Sequence, residues 1–300
     1  MRYLRPLLEG KHILVQLLAL LILIFVGMTV FSTLGQLVAY AIFHTMDMHT
    51  ASNPAAYIRI TQFFSSIGTF LCPALLFSYL QDGRWLNYNA ANRRPHHLFV
   101  NTVLVLSIAL LPLVAILEQW NEGMHLPEWM SGVEQWMARM EESMSKVMEL
   151  LVQDHSYATL CLNILVMALI PAICEEFLFR GTLQSLLTKQ WNKPHLAIWT
   201  TAVVFSAIHL QFYGFLPRML LGAYLGYLFY WSRSLWLPVL AHFLHNALSI
   251  LVSYTFMGRG IDIDDMRFTD IHGSTTLVFS CAVVAAMGIV FMWRTQKELK

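Results

Sequence analysis

Eight apolar runs of membrane-spanning length constrain this chain more than any motif in it. They cover roughly residues 12–43, 57–80, 98–118, 157–187, 195–213, 215–232, 235–256 and 275–293. About 20 apolar residues in a helix suffice to cross the ~30 Å hydrocarbon layer of a bilayer. The 300 residues are 57% hydrophobic and 12% charged, about half the charge of an ordinary soluble domain. The expected fold is all-α: a polytopic membrane bundle of about eight transmembrane helices, with residues 1–300 as a single membrane domain. Net charge is +1, which offers nothing to nucleic acid.

The first run follows Arg2, Arg5 and Lys11, like the start of a signal peptide. Its apolar stretch is about twice the usual length and lacks an A-x-A site, so a retained helix is expected. Cys72, Cys161, Cys174 and Cys281 all fall inside apolar runs. Without metal spacing or a disulfide framework, they read as small buried hydrophobes.

Lysine and arginine counts set the expected orientation. With the N-terminus cytoplasmic, twelve of these residues fall on the inner side and six on the outer, with Arg180 inside a segment. Both termini are then cytoplasmic. The short loops point to a bacterial cell membrane. The one long loop, 119–156, is extracytoplasmic in this arrangement. Its Trp129, Val133, Trp136, Met140, Met144 and Met148 recur at helical spacing, which predicts an amphipathic helix on the interface or packed over the mouth of the bundle. A second outer loop, 258–273, carries Asp262, Asp264, Asp265 and Asp270 and reads as a solvated segment without an EF-hand pattern.

Ionisable groups at membrane depth each cost roughly 2.5–3.5 kcal/mol at the helix centre, so those retained are functional candidates. Here they are Glu175, Glu176 and Arg180 in the fourth run, His209 in the fifth, and His242, His245 and Asn246 in the seventh. At about 1.5 Å per residue, Glu175 lies on the order of 18 Å from the inner surface, His209 about 20 Å, and His242 with Asn246 about 10–17 Å. Three segments thus place polar groups in one layer near the bilayer middle. Glu176 and Arg180 are four apart and share a helix face, as do His242 and Asn246. Glu175 is turned about 100° from Glu176, toward a cavity. Spacing alone does not separate His242 from its neighbour His245.

A carboxylate, two imidazoles and an amide in such a layer suit several chemistries. In hydrolysis, a desolvated carboxylate acts as general base on water, and an amide with a second imidazole donates to the oxyanion. Zinc is another use, with Glu175, His209 and His242 as ligands gathered across helices, because H-E-x-x-H is absent. Proton-coupled transport also employs buried carboxylates and histidines. A structural ion pair with interhelical hydrogen bonds is the fourth.

The segments "EEFLFR" (Glu175–Arg180), "FSAIH" (Phe205–His209) and "HFLHN" (His242–Asn246) resemble the E-E-x-x-x-R, F-x-x-x-H and H-x-x-x-N motifs of the CPBP family. This is the family of CAAX proteases and bacteriocin-processing enzymes, also called Abi, which includes the type II CAAX prenyl endopeptidases. Each pattern is short; the weight lies in all three occurring in order on successive apolar segments, within a core of about 160–255. The resemblance implies an eight-helix bundle whose catalytic cavity lies inside the membrane and opens toward the cytoplasm. It implies an intramembrane endopeptidase with Glu175 as base, His209 as its helper, and His242 and Asn246 as oxyanion donors. Glu176 and Arg180 would support the site, Phe205 would pack it, and His245 is not a motif position. The substrate would be a peptide or protein, with or without a lipid modification, met in the bilayer. The expected reaction needs no cofactor. The alternative within the family is a scaffold or bacteriocin self-immunity protein that cleaves nothing.

Overall fold

The computed structural model describes residues 6–124, 126–257 and 274–298. The expected loop 258–273, its four aspartates, and Arg2, Arg5, Arg259, Arg267 and Lys300 of the charge count lie outside the described residues. Among the described residues the chain is helical and without strands. Its helices are α1 (Ile13–Phe43), α2 (Pro54–Asp82), α3 (His97–Glu122), α4 (Ser131–Val152), α5 (Tyr157–Trp191), α6 (Pro194–Ala207), α7 (Phe215–Ser232), α8 (Trp236–Met257) and α9 (Ser274–Glu298). Lipid offers the backbone no hydrogen bonds, so a spanning segment that closes its own bonds is the favoured solution.

Six of these helices, α1, α2, α3, α5, α8 and α9, are long and apolar enough to cross a membrane. The protein is a helical integral membrane protein. All eight expected runs are helical, but the fifth is shorter than its apolar stretch. It ends at Ala207 after 14 residues, about 21 Å of rise, and the chain turns back into α7. The ends carry local stop signals. Asn53 Oδ1 accepts the Ala56 amide and Pro54 opens α2, while Gly83 ends that helix at φ 68°. Ser156 Oγ accepts the Thr159 amide at the start of α5.

Proline shapes the two helices that carry the centre of the bundle. Pro73 follows a wide π-helical turn at Ile67–Leu71, and Pro171 follows another at Ile164–Leu169. A proline ring clashes with the carbonyl four residues back, and widening the helix relieves that clash. Close approach of helices depends on glycine. A β-carbon on Gly27 of α1 would lie 2.2 Å from the Gly68 carbonyl oxygen of α2. One on Gly226 of α7 would lie 2.9 Å from Ile198 Cγ2 of α6. These are the small-residue contacts that pack helices in lipid.

α5 runs through the middle of the bundle. Phe177, Phe179 and Leu186 on it join Phe77, Phe205 and Leu235 in one buried cluster. α1 and α9 lie at the periphery, with Leu21 and Phe25 of α1 and Phe279 and Met287 of α9 exposed, as lipid-facing residues are. Of the four cysteines expected to be buried, only Cys174 is. Cys161 is exposed and the other two are intermediate, because a helix side turned to lipid needs no protein cover.

Alternation of the helices gives the molecule two faces. The described termini, the loop 83–96 and the turns into α6 and α8 lie on one, here the terminal face. The segment 123–156 and the turn 208–214 lie on the other, the distal face. The amphipathic pattern in 119–156 is realised as α4. Trp129, Val133 and Trp136 beside or on it stay exposed, as an interfacial helix requires. Its C-terminal end is clamped to the bundle: Arg59 donates from Nη2 to the Leu151 carbonyl at 3.0 Å and from Nε to Asn163 Oδ1 at 2.9 Å.

Candidate active site

Local structure first places the two glutamates. Beyond Pro171, α5 regains α-helical winding over Ile170–Glu176 and then widens again over Phe177–Gln184. In that wide turn the Thr182 and Ser185 hydroxyls donate to the carbonyls of Phe177 and Arg180, five residues back. Wide turns of this kind recur at functional sites. Glu175 faces a cavity, while Glu176 and Arg180 are fully buried.

Glu176 is the hub of the buried side. Its Oε1 accepts from Arg180 Nη1 at 2.7 Å and from His242 Nδ1 of α8 at 2.8 Å. Arg180 extends on to donate from Nη2 to the Gly222 carbonyl of α7 at 3.1 Å, and Gln184 repeats the link one turn later to Gly226 at 2.9 Å. A buried charge with this many partners is tolerable, and an unpaired one would not be. The i,i+4 spacing led to the Arg180 pair; nothing in the sequence pointed to the second partner, His242.

His209 sits just beyond α6. The Leu210 amide closes a turn onto the Ala207 carbonyl, and Leu210 adopts φ 55°. Asn121 of α3 holds this reversal from outside: it donates to the Phe212 carbonyl at 2.8 Å and accepts the Leu216 amide at 3.0 Å. His209 Nδ1 lies 2.8 Å from the Phe205 carbonyl. A carbonyl only accepts, so Nδ1 carries the proton and Nε2 keeps its lone pair. The Phe205 ring stands between the imidazoles, with centroids 5.2 Å from His209 and 6.0 Å from His242, and Arg180 Cζ lies 4.5 Å over it. It is therefore a spacer that sets both rings and screens the guanidinium.

Glu175, His209, His242 and Asn246 all line one cavity of about 570 Å³, within the range of pockets that take small ligands. Glu175 has no hydrogen-bond partner among the described residues. His245 lines the same cavity. At the rim stand Glu118, Gln211 and Arg218, with Met144 and Met148 of α4 above. Arg218 Nη2 donates to Gln211 Oε1 at 2.8 Å, and Gln211 donates to Glu141 Oε1 at 3.3 Å. Burial lifts the Glu141 carboxyl above its usual range, against the opposing pull of Arg218. Gln211 and Arg218 were not among the residues singled out in the sequence, although they fall within the fifth and sixth apolar runs.

Among the described residues no three His, Cys, Asp or Glu side chains are grouped closely enough in this arrangement to hold a metal ion.

One expectation needs correction. A cavity open to the cytoplasm and cytoplasmic termini cannot both hold, because the rim of the cavity is built from the distal face. Segment lengths and charge counts orient a chain but do not say which end of a bundle is hollow.

Residues 157–248 match the family model described as type II CAAX prenyl endopeptidase Rce1-like. The chain is also similar to a Bacillus subtilis (strain 168) protein described as uncharacterized protein YpbD, with 30% identity over 90 residues. That alignment covers 29% of this chain and 43% of the relative, so the chain spans less than half of the relative it matches. No solved structure matches it. The likeness to the CAAX endopeptidase group read from the three motifs is thus found again over the same part of the chain.

Proposed function

With the Rce1-like match over residues 157–248 as premise, we propose that this protein is an intramembrane endopeptidase that hydrolyses a peptide bond with water activated by Glu175. At family level a CAAX-protease-like membrane peptidase acting on peptide or protein substrates is what the match supports. The catalytic route is our reading. One observation carries it: four polar side chains from α5, the end of α6 and α8 share the lining of a single cavity, while the charges behind them are paired.

In this route Glu175 takes a proton from water, and the hydroxide attacks the peptide carbonyl carbon. His209 Nε2, with Nδ1 committed to the Phe205 carbonyl, accepts a hydrogen bond from the same water and orients it. The carbonyl oxygen becomes an oxyanion and receives hydrogen bonds from the Asn246 amide and the His242 ring. His242, held through Nδ1 by Glu176, presents Nε2 to that oxygen. The C–N bond then breaks, Glu175 returns its proton to the leaving amine, and an acid and an amine depart. Both termini are cytoplasmic and the membrane is a bacterial cell membrane in this reading.

The test compares peptides from cells carrying the wild type and the Glu175→Gln variant. Peptide ends that require Glu175, with equal protein levels and equal thermal unfolding in detergent, are the expected result. Identical peptide sets would remove the peptidase reading and leave a scaffold or immunity role that cuts nothing.

A further inference from the structure

The two ends of the bundle differ in access. On the terminal face the segment 83–96 is stitched beneath the site. The Ala90 carbonyl accepts the Leu235 amide at 3.4 Å, the Arg93 carbonyl accepts the Ser234 hydroxyl at 2.6 Å, and the Ala91 carbonyl accepts Trp236 Nε1 at 2.8 Å. Asn89, fully buried, packs so tightly on α5 that a β-carbon at Gly181 would lie 2.6 Å from its own. Above this plug come Phe177, Leu178 and Leu235, all buried, and then the Glu176–Arg180–His242 group. Among the described residues these buried layers lie between the terminal face and Glu175.

On the distal face the same cavity runs outward from Glu175 past His245, Ser249 and Ser253 to Glu118 and Arg218. Its cover there is α4, whose Met144 is 47% exposed while lining the cavity. At this rim Gln211 donates to Glu141 of α4 at 3.3 Å. Entry is therefore from the distal side.

Basic residues say which side that is. Apart from Arg180, the described residues hold nine lysines and arginines on the terminal face and four on the distal face. Two of those four, Arg59 and Arg218, are committed to hydrogen bonds within the bundle. The positive-inside bias puts the terminal face in the cytoplasm.

We propose that the cavity is loaded from the extracytoplasmic side, so that its substrate is a peptide segment exposed there, in an exported protein or in the outer part of a membrane protein. This rests on the peptidase reading above. The rim refines the class. Glu118, Glu122 and Glu141 surround the one guanidinium of Arg218 there, so the excess negative charge favours neutral or basic segments over acidic ones.

Two measurements test it separately from the chemistry. Single cysteines are introduced as Met144→Cys at the rim and Arg94→Cys on the terminal face, in the full chain in cells. A membrane-impermeant maleimide is applied before and after lysis, and labelling is measured above that of the parent chain. Met144→Cys reacting on intact cells, with Arg94→Cys reacting only after lysis, is the expected result. The reverse order, or a Met144→Cys that stays unreactive even after lysis, overturns the proposal. In the peptide comparison between wild type and Glu175→Gln, the altered ends should belong to extracytoplasmic segments. Altered ends confined to cytoplasmic proteins would overturn the loading side and keep the peptidase. An unchanged peptide set, with the expected labelling, would sink the peptidase reading instead and leave only the sidedness standing.

Discussion

Glu176 and His242, 66 residues apart in the chain, meet through a 2.8 Å hydrogen bond between Oε1 and Nδ1. That contact ties α5 to α8 at the floor of the cavity and sets which ring nitrogen of His242 is left for other work. The same oxygen also accepts from Arg180 at 2.7 Å, so three helices, with α7 reached through Gly222, depend on one carboxylate.

Coupling between Glu176 and His242 should be measurable. In a cycle of Glu176→Gln, His242→Ala and the double variant, the effects on cleavage rate should fail to add, with an interaction of roughly 0.5–3 kcal/mol. Simple additivity would mean that the hydrogen bond does not matter to the reaction.

Arg180→Ala should destabilise the fold by about 3–5 kcal/mol, the usual cost of stranding one member of a buried ion pair. Arg180→Lys should recover only part of this, since an ammonium cannot easily serve both Glu176 Oε1 and the Gly222 carbonyl. Thermal unfolding in detergent reads both, and an unchanged midpoint for Arg180→Ala would contradict the pairing.

Gly226→Ala should cost about 1–3 kcal/mol through overpacking, because the new methyl would meet Gln184 Oε1 and Ile198 Cγ2, each at 2.9 Å. Gly132→Ala on α4, where nothing lies within 4 Å, should be neutral or stabilise by at most about 1 kcal/mol. Equal effects at the two sites would argue against the close α6–α7 contact.

Arg59→Ala should loosen the cover. It removes the bonds to Leu151 and Asn163, so α4 should open more often and trypsin should cut faster at Arg139 and Lys146. An unchanged digestion rate would show that α4 is held by other means.

Cleavage should survive strong chelators, because the route through Glu175 uses no metal. Loss of activity on chelation, with recovery on adding zinc, would replace that route with a metal-dependent one.

Much of this was legible in the chain itself. Apolar length alone located eight helices, since in lipid the hydrophobic run and the helix are nearly the same object, and it misjudged chiefly the fifth, which stops at Ala207. The i,i+4 rule likewise found Glu176 with Arg180. It could not find His242 as the second partner or Asn121 as the clamp on the turn after His209. Those contacts span 66 and about 90 residues, and no periodicity encodes a distance in space.

The sequence by itself determined that the chain is a bundle of membrane helices, because hydrocarbon penalises every polar exception locally, residue by residue. Tertiary structure alone decided that Glu175 faces the cavity with Glu176 sealed behind it, and that the cavity opens on the face away from the termini. Both outcomes depend on how helices pack and where proline and wide turns rotate them, and those are properties of the assembled bundle rather than of any single segment.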